Sequence, residues 1–446
     1  MKSEVLYRFV VALFVIASVT ACVSTGFYPD RSFSGLAGAM KSNGGTLNVV
    51  FVHGMGHHPF GEEGLLKYQE RIARKLGFTS DMLQPGLSWG GDCRSDTKDH
   101  GSISQDEIKR IQIRRDAKQA VCELKINRVI LGFVGWRQYA SPKDGKSLNM
   151  FELSWDRATE LLQQNLLELN DDYLETVELD DELNPMPNGF DRESDRVWLN
   201  RKLKKFVNQN LGDPAIYMGE FGNAIRRIMA DGLVKIASAA GTSGAHDYSI
   251  ISDSLGSRIV FDSLGCALDS DANLDKRCSF LETEDKDLFS TRMSALGGMA
   301  NTTTQVFMNA NQLPFLALSN VRQPGPGEAQ KDWLKRFPCE SGGPGLTSST
   351  EDKKIIDRSV QIVAFTDPND ALSFHLTERF RRKCTHLGSE SLRPVEFFNV
   401  RMPNVKWHFG IFANPYKAHS NGFRPNEAAI ELLVNGHNTN EENKRF

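Results

Sequence analysis

Ser254 stands in the run Ile250-Ile251-Ser252-Asp253-Ser254-Leu255-Gly256-Ser257-Arg258-Ile259-Val260-Phe261, where an apolar strand meets an apolar helical period across a few small residues. A serine on such a strand-to-helix turn holds its hydroxyl above the sheet, exposed for nucleophilic attack. The turn closes only if the residues two before and two after are small, because strand and helix approach closely there. Ser252 and Gly256 meet that need. Three other groups have the residue types that work with such a serine. His53-Gly54-Met55-Gly56-His57 follows the short apolar run 47–52, and its glycines let main chain come close to a bound molecule. Asp367 and Asp370 follow the apolar run 360–365, and His419 lies in Ala418-His419-Ser420-Asn421-Gly422, ahead of a terminal helix. Hydroxyl, imidazole and carboxylate together suit acyl transfer: the base takes the hydroxyl proton and the acid orients the base.

Elements must bring these groups together. The runs 47–52, 129–134, 248–251, 306–308, 360–365 and 395–400 are short and continuously apolar, as strands buried on both faces are. Helical stretches fall between them, at 107–124, 223–238 and 427–434, and His375 is expected on a helix after the two aspartates. Strands alternating with helices predict an α/β fold with a doubly wound, mainly parallel sheet. The alternation breaks at about 157–246, where several helices, 158–169 among them, surround an acidic stretch at 171–182. This insertion reads either as a cap over the site or as a solvated decoration. The Gly-, Pro- and Ser-rich stretch 323–349 reads as a surface loop.

Taken together the four motifs resemble those of the α/β-hydrolase superfamily, and the order Ser254, Asp370, His419 is its Ser–Asp–His order. The resemblance covers roughly 47–435, with the insertion outside the shared core. It implies an α/β-hydrolase fold with a helical insertion, Ser254 as nucleophile and His419 as base. The acid is Asp370 or Asp367; the superfamily habit of two small or apolar residues after the aspartate favours Asp370. The loop with His53, Gly54 and Gly56 would supply one oxyanion donor, the Met55 amide, and Leu255 would supply the other. Losing one such donor costs about 3–4 kcal/mol in comparable enzymes. Ser252 stands where the pattern has glycine and Asp253 where histidine is common, departures that bear on the substrate class. The implied activity is hydrolysis of carboxylic esters through an acyl-enzyme, lipid or phospholipid esters included, with no cofactor. The alternatives are a thioesterase or acyltransferase on the same site, or a lipid-anchored binding protein on an inactive hydrolase fold.

The N-terminus speaks to location. Lys2 and Arg8 precede the apolar run 9–21, which has the length of a signal-peptide core and is short for a membrane span. Val19-Thr20-Ala21-Cys22 resembles a lipobox, at which bacteria lipidate the cysteine and cleave before it. The expectation is a signal peptide over 1–21, a lipidated tether over 22–45 and a hydrolase domain over 46–446. Val23, in place of an aspartate, points to the outer membrane. Acyl chains contribute about 0.8 kcal/mol per buried CH₂, so lipid at Cys22 makes the membrane a partner.

Composition narrows the remaining classes. A formal charge of −3 and the absence of a basic stripe interleaved with aromatics give no footing for nucleic acid. Besides Cys22 there are six cysteines, an even number suited to an oxidising compartment, and sequence neighbours suggest Cys93–Cys122, Cys266–Cys278 and Cys339–Cys384. No cysteine–histidine spacing fits zinc, and His57-His58 lacks a carboxylate at ligand spacing, so no metal is expected. The apolar run 313–318 is a candidate acyl-pocket lining.

Overall fold

The computed structural model describes residues 27–54, 63–84, 109, 112–113, 116–126, 129–155, 157–158, 213–241, 247–268, 280–281, 286–313, 359–368, 370, 372–376, 395–402, 419 and 426–438. In chain order the elements are β1 (Tyr28–Pro29), β2 (Phe33–Ser34), α1 (Leu36–Ser42), β3 (Thr46–Val52), α2 (Glu63–Lys75), β4 (Ala120–Ile126), β5 (Val129–Ser141), β6 (Lys146–Ser154), α3 (Gly222–Gly241), β7 (Tyr248–Asp253), α4 (Leu255–Leu268), α5 (Lys286–Thr302), β8 (Thr303–Asn309), β9 (Val360–Thr366), β10 (Val395–Arg401), α6 (Glu427–Asn435) and β11 (Gly436–His437). The fold is α/β: a nine-stranded, mostly parallel mixed sheet in the order β1-β10-β9-β8-β7-β3-β6-β5-β4, with helices. The strands from β10 to β6 in that order run parallel, while β5, β4 and β1 are antiparallel to their neighbours.

Alternation along the strands sorts the apolar residues into two cores. Val50 and Val52 of β3, Ile250 of β7, Val306 and Met308 of β8, and Ile362 and Ala364 of β9 share one core with α3, α4 and α5. Leu47, Val49 and Phe51, then Ile251, Phe307, Val363 and Phe365, share the other with α1, α2 and α6. Both faces of the central strands are thus apolar, which is why they read as unbroken hydrophobic runs. Buried polar residues in the sheet are paired across strands: Asn149 of β6 donates to Asn48 of β3 at 2.9 Å, and Ser249 of β7 donates to Gln305 of β8 at 3.0 Å. Helix α6 starts on Asn426, whose side chain accepts from Ala428 N at 3.0 Å, and ends on Gly436 at φ 73°. Such an N-cap stabilises a helix by about 1 kcal/mol.

Several expectations are corrected. The described part of the expected 22–45 tether, from residue 27, is folded into the domain. Tyr28 and Pro29 pair with β10, Phe33 and Ser34 pair with β11, and Phe33, Leu36, Ala39 and Met40 are buried. The helix expected over 107–124 gives way at its end to β4, which lies at the sheet edge against β5. Strand β5 runs on from 134 to Ser141, and β6, not anticipated, lies beside β3. Within the expected insertion, α3 packs on the sheet with α4 and α5 and belongs to the core. His375 follows the acid loop without a helix. Residues 159–212 and 323–349 lie outside the described residues.

Behind α4 a polar network ties the segment before α3 to the helix. Asp262 accepts from Arg258 Nε at 2.9 Å and from the Tyr217 hydroxyl, and Arg226 Nε donates to that hydroxyl at 3.2 Å. Burial, and then the Asp262 carboxylate, push the Tyr217 phenol far above its ordinary range, so it acts here as a neutral donor.

Candidate active site

Because β3, β7, β8 and β9 are adjacent and parallel, their carboxyl ends open on one edge of the sheet. The chain leaves β3 for β4 at the far edge, returns through β5 and β6, and then crosses β3 to reach β7, so the direction in which it steps across the sheet reverses after β3. In open α/β sheets the crevice beside such a reversal is where ligands bind. His53-Gly54 follows β3, Ser254 follows β7, Asn309 and Ala310 close β8, and Asp367 and Asp370 follow β9.

Ser254 is built mainly from backbone geometry. Its φ of 50° places it in the left-handed region, which non-glycine residues enter at a cost of about 1–3 kcal/mol when the surroundings force them. Those surroundings are specific. Ser254 N donates to Asn309 O at 2.7 Å, and Ser257 N donates to Ser254 O at 3.1 Å as α4 begins. A Cβ at Gly256 would lie 2.3 Å from His53 O, and one at Gly54 would lie 2.8 Å from Asp253 O and 3.0 Å from Ser254 Cβ. Both positions require glycine because main chain crosses main chain there. Ser252, in the usual glycine position, is fully buried; its hydroxyl lies 3.0 Å from Ser257 Oγ and 3.3 Å from Phe307 O. The extra atoms at Ser252 are absorbed as hydrogen bonds.

The other partners arrive through side chains. Ser254 Oγ lies 2.9 Å from His419 Nε2, and His419 Nδ1 lies 2.8 Å from Asp370 Oδ2. Asp370 is itself held: its N donates to Asp367 O at 3.0 Å, and its Oδ1 accepts from Leu372 N at 2.8 Å. The Asp370 side chain is 1% exposed and that of His419 11%. Of the two candidate acids, Asp370 meets the imidazole; Asp367 is buried beside it and supplies its carbonyl to the Asp370 turn. With Nδ1–H donated to the carboxylate, Nε2 is left with its lone pair toward the serine hydroxyl, the arrangement a general base needs.

Leu255 is buried and opens α4, so its main-chain N–H belongs to the first turn, where a helix offers no intrahelical acceptor. His53 is buried and Gly54 abuts Ser254. Met55 and Gly56 lie outside the described residues, as do His57, His58, His408, Cys22 and 314–318. Among the cysteines, the Cys122 side chain is described, buried on β4 and disulfide-bonded. Its partner and the other expected pairings lie outside the described residues. Among the described residues no group of three or more His, Cys, Asp or Glu is placed to hold a metal, and no helix is long and apolar enough to cross a membrane.

Some contributors carried no local signal. Asn309 accepts from the Ser254 amide and also donates Nδ2 to Asp253 Oδ1 at 3.1 Å. Asn311 exchanges hydrogen bonds of 2.8 Å with the Phe374 main chain and accepts from Leu313 N at 3.0 Å, stitching the acid loop to the end of β8. Comparison with protein-family models, with curated proteins and with solved structures finds no match for this chain.

Proposed function

We propose that this chain is a serine hydrolase of the α/β-hydrolase type that cleaves carboxylic esters. The observation that carries the reading is the continuous relay from Ser254 Oγ through His419 to Asp370, with contacts of 2.9 and 2.8 Å, on a serine held at φ 50° between a strand and a helix. His419 Nε2 takes the Ser254 proton as Oγ bonds to the acyl carbon, and the carbonyl π electrons move to the oxygen. Asp370 stabilises the imidazolium that results. When the C–O bond to the leaving alcohol breaks, that oxygen receives the proton from His419, leaving an acyl-serine. Water, deprotonated by the same imidazole, then releases the acid and restores the hydroxyl. The negative carbonyl oxygen needs prepositioned N–H donors; the Leu255 amide and the loop after Gly54 are the groups assigned to it, and no cofactor takes part.

The lipobox-like Cys22 and the signal-like 1–21 extend the proposal to a lipid-anchored protein of the bacterial outer membrane. That anchor, which would keep the site within reach of lipids, is the ground for proposing acyl lipids or phospholipids as substrates. The test is reaction of the full chain with a fluorophosphonate probe, beside Ser254→Ala and His419→Ala. Labelling that disappears in both variants is expected. Folded wild-type protein that takes no probe at neutral pH overturns the reading.

A further inference from the structure

His53 is gripped three ways by the end of β6. Its N donates to Leu153 O at 3.1 Å, its carbonyl accepts from Trp155 Nε1 at 2.8 Å, and its Nε2 lies 2.9 Å from Glu152 Oε1. The imidazole and carboxylate are 1% and 0% exposed. The two main-chain grips are available to any residue at position 53. The third depends on this pair of side chains. Taking a carboxylate and an imidazole out of water is costly, and two packed apolar side chains would serve stability at least as well. The distinctive consequence of the pair is therefore orientation.

What it orients is Gly54, the residue packed against Ser254. The His53 carbonyl is the atom that a Cβ at Gly256 would strike at 2.3 Å, and the next residue, Gly54, is packed against Asp253 O and Ser254 Cβ. With N–H, C=O and side chain all tied to residues 152–155, rotation about the His53 backbone is restrained, and Gly54 is held close to Ser254. We propose that Glu152, acting through His53, is a positioning residue that sets the oxyanion loop against Ser254. This rests on the serine-hydrolase reading. Glu152 touches no reacting atom; its contribution passes through the placement of the loop donors, where a displacement on the order of 1 Å can cost about 10²-fold in rate.

The experiment follows labelling of the full chain by the fluorophosphonate probe over time, for wild type, Glu152→Gln, Glu152→Ala and His53→Asn. The amplitude counts correctly folded sites, and the rate at saturating probe reports chemistry at each site. Attack on the phosphonate builds charge on an oxygen in the same place, so it needs the same donors. Glu152→Ala and His53→Asn are expected to slow the saturated rate roughly 10- to 100-fold, with half-saturation within about threefold of wild type. Glu152→Gln keeps an acceptor oxygen for the imidazole N–H and is expected within about threefold of the wild-type rate. A purely structural role would lower amplitude and leave the rate per site unchanged. Wild-type rates in Glu152→Ala and His53→Asn overturn the proposal, as does Glu152→Gln as slow as Glu152→Ala. In either case a labelled wild type leaves the hydrolase reading standing; a wild type that takes no probe removes both.

Discussion

Ser254 and its two partners are held by different means. The serine is placed by main chain: a left-handed φ of 50°, an amide on Asn309 O, and a glycine two residues on that lets α4 cross His53 O. His419 is tied by side-chain hydrogen bonds to Ser254 and Asp370, 165 and 49 positions earlier in the sequence. The first arrangement is part of how β7 turns into α4, so disturbing it disturbs folding. The second joins side chains on loops outside the sheet, so disturbing it is expected to leave the fold intact and to remove reactivity toward the probe.

Seven variants break or sharpen this contrast. The largest effect is expected for His419→Ala or Ser254→Ala, with the probe-labelling rate falling by about 10⁴–10⁶ and thermal unfolding shifting by no more than about 2 °C. A large drop in melting temperature for His419→Ala would erase the distinction. Asp370→Asn is expected next, near 10⁴-fold, because an amide presents the wrong partner to Nδ1. Asp367→Asn serves beside it as the comparison, at less than about tenfold; the reverse ranking would transfer the acid role to Asp367. On the backbone side, Gly256→Ala puts a carbon 2.3 Å from His53 O and is expected to destabilise by about 3 kcal/mol, read by denaturant unfolding, with labelled amplitude lost alongside.

Smaller effects test the edges of the same contrast. Ser252→Ala removes the hydroxyl that meets Ser257 and Phe307 O and is expected to lower stability by about 1 kcal/mol at an unchanged labelling rate. Smallest is Glu427→Gln, far from the site, where Glu427 on α6 pairs with Arg71 and Lys75 on α2. Hydrogen bonds from these two hold the Glu427 carboxyl below its ordinary value of 4.5. A depressed folded-state pKa gives stability that is present above the unfolded value and lost as pH falls through the folded one. The variant should therefore flatten the acid end of the melting-temperature profile, below about pH 4.5, slightly because the pair is exposed. Probe labelling at neutral pH should not change.

What could be read from sequence follows the same division. The turn from Ser252 to Gly256 was legible because its demands are local: apolar strand, small residues, apolar helix. Strands β3, β7, β8, β9 and β10 were legible because burial on both faces leaves continuous apolar runs. Strand β6 was not, because Asn149, Glu152 and Ser154 look like surface residues until Asn48 and His53, about 100 positions earlier, are seen to pair with the first two. Strand β4 mixes Glu123 and Lys125 with apolar neighbours at the sheet edge, a pattern that also suits a helix. The segment from residue 27 looked like a tether because its small and polar residues outnumber the buried Phe33, Leu36 and Met40. Between Asp367 and Asp370 sequence offered only a preference; the contact with His419 comes from three-dimensional placement.

Strands β1 and β2 lie against the last elements of the chain, β1 on β10 and β2 on β11, and Gly35 abuts Gly436 and the end of α6 so closely that a Cβ would meet their main chain at 2.3 Å. Residues 28–34 therefore wait for residues made about 370–400 positions later. On a ribosome or a translocon, where synthesis proceeds at about 5–20 residues per second, this edge stays open for on the order of half a minute after Phe33 emerges. A chain stopped before Gly436 would leave β2 without its partner strand while β1 could still pair with β10.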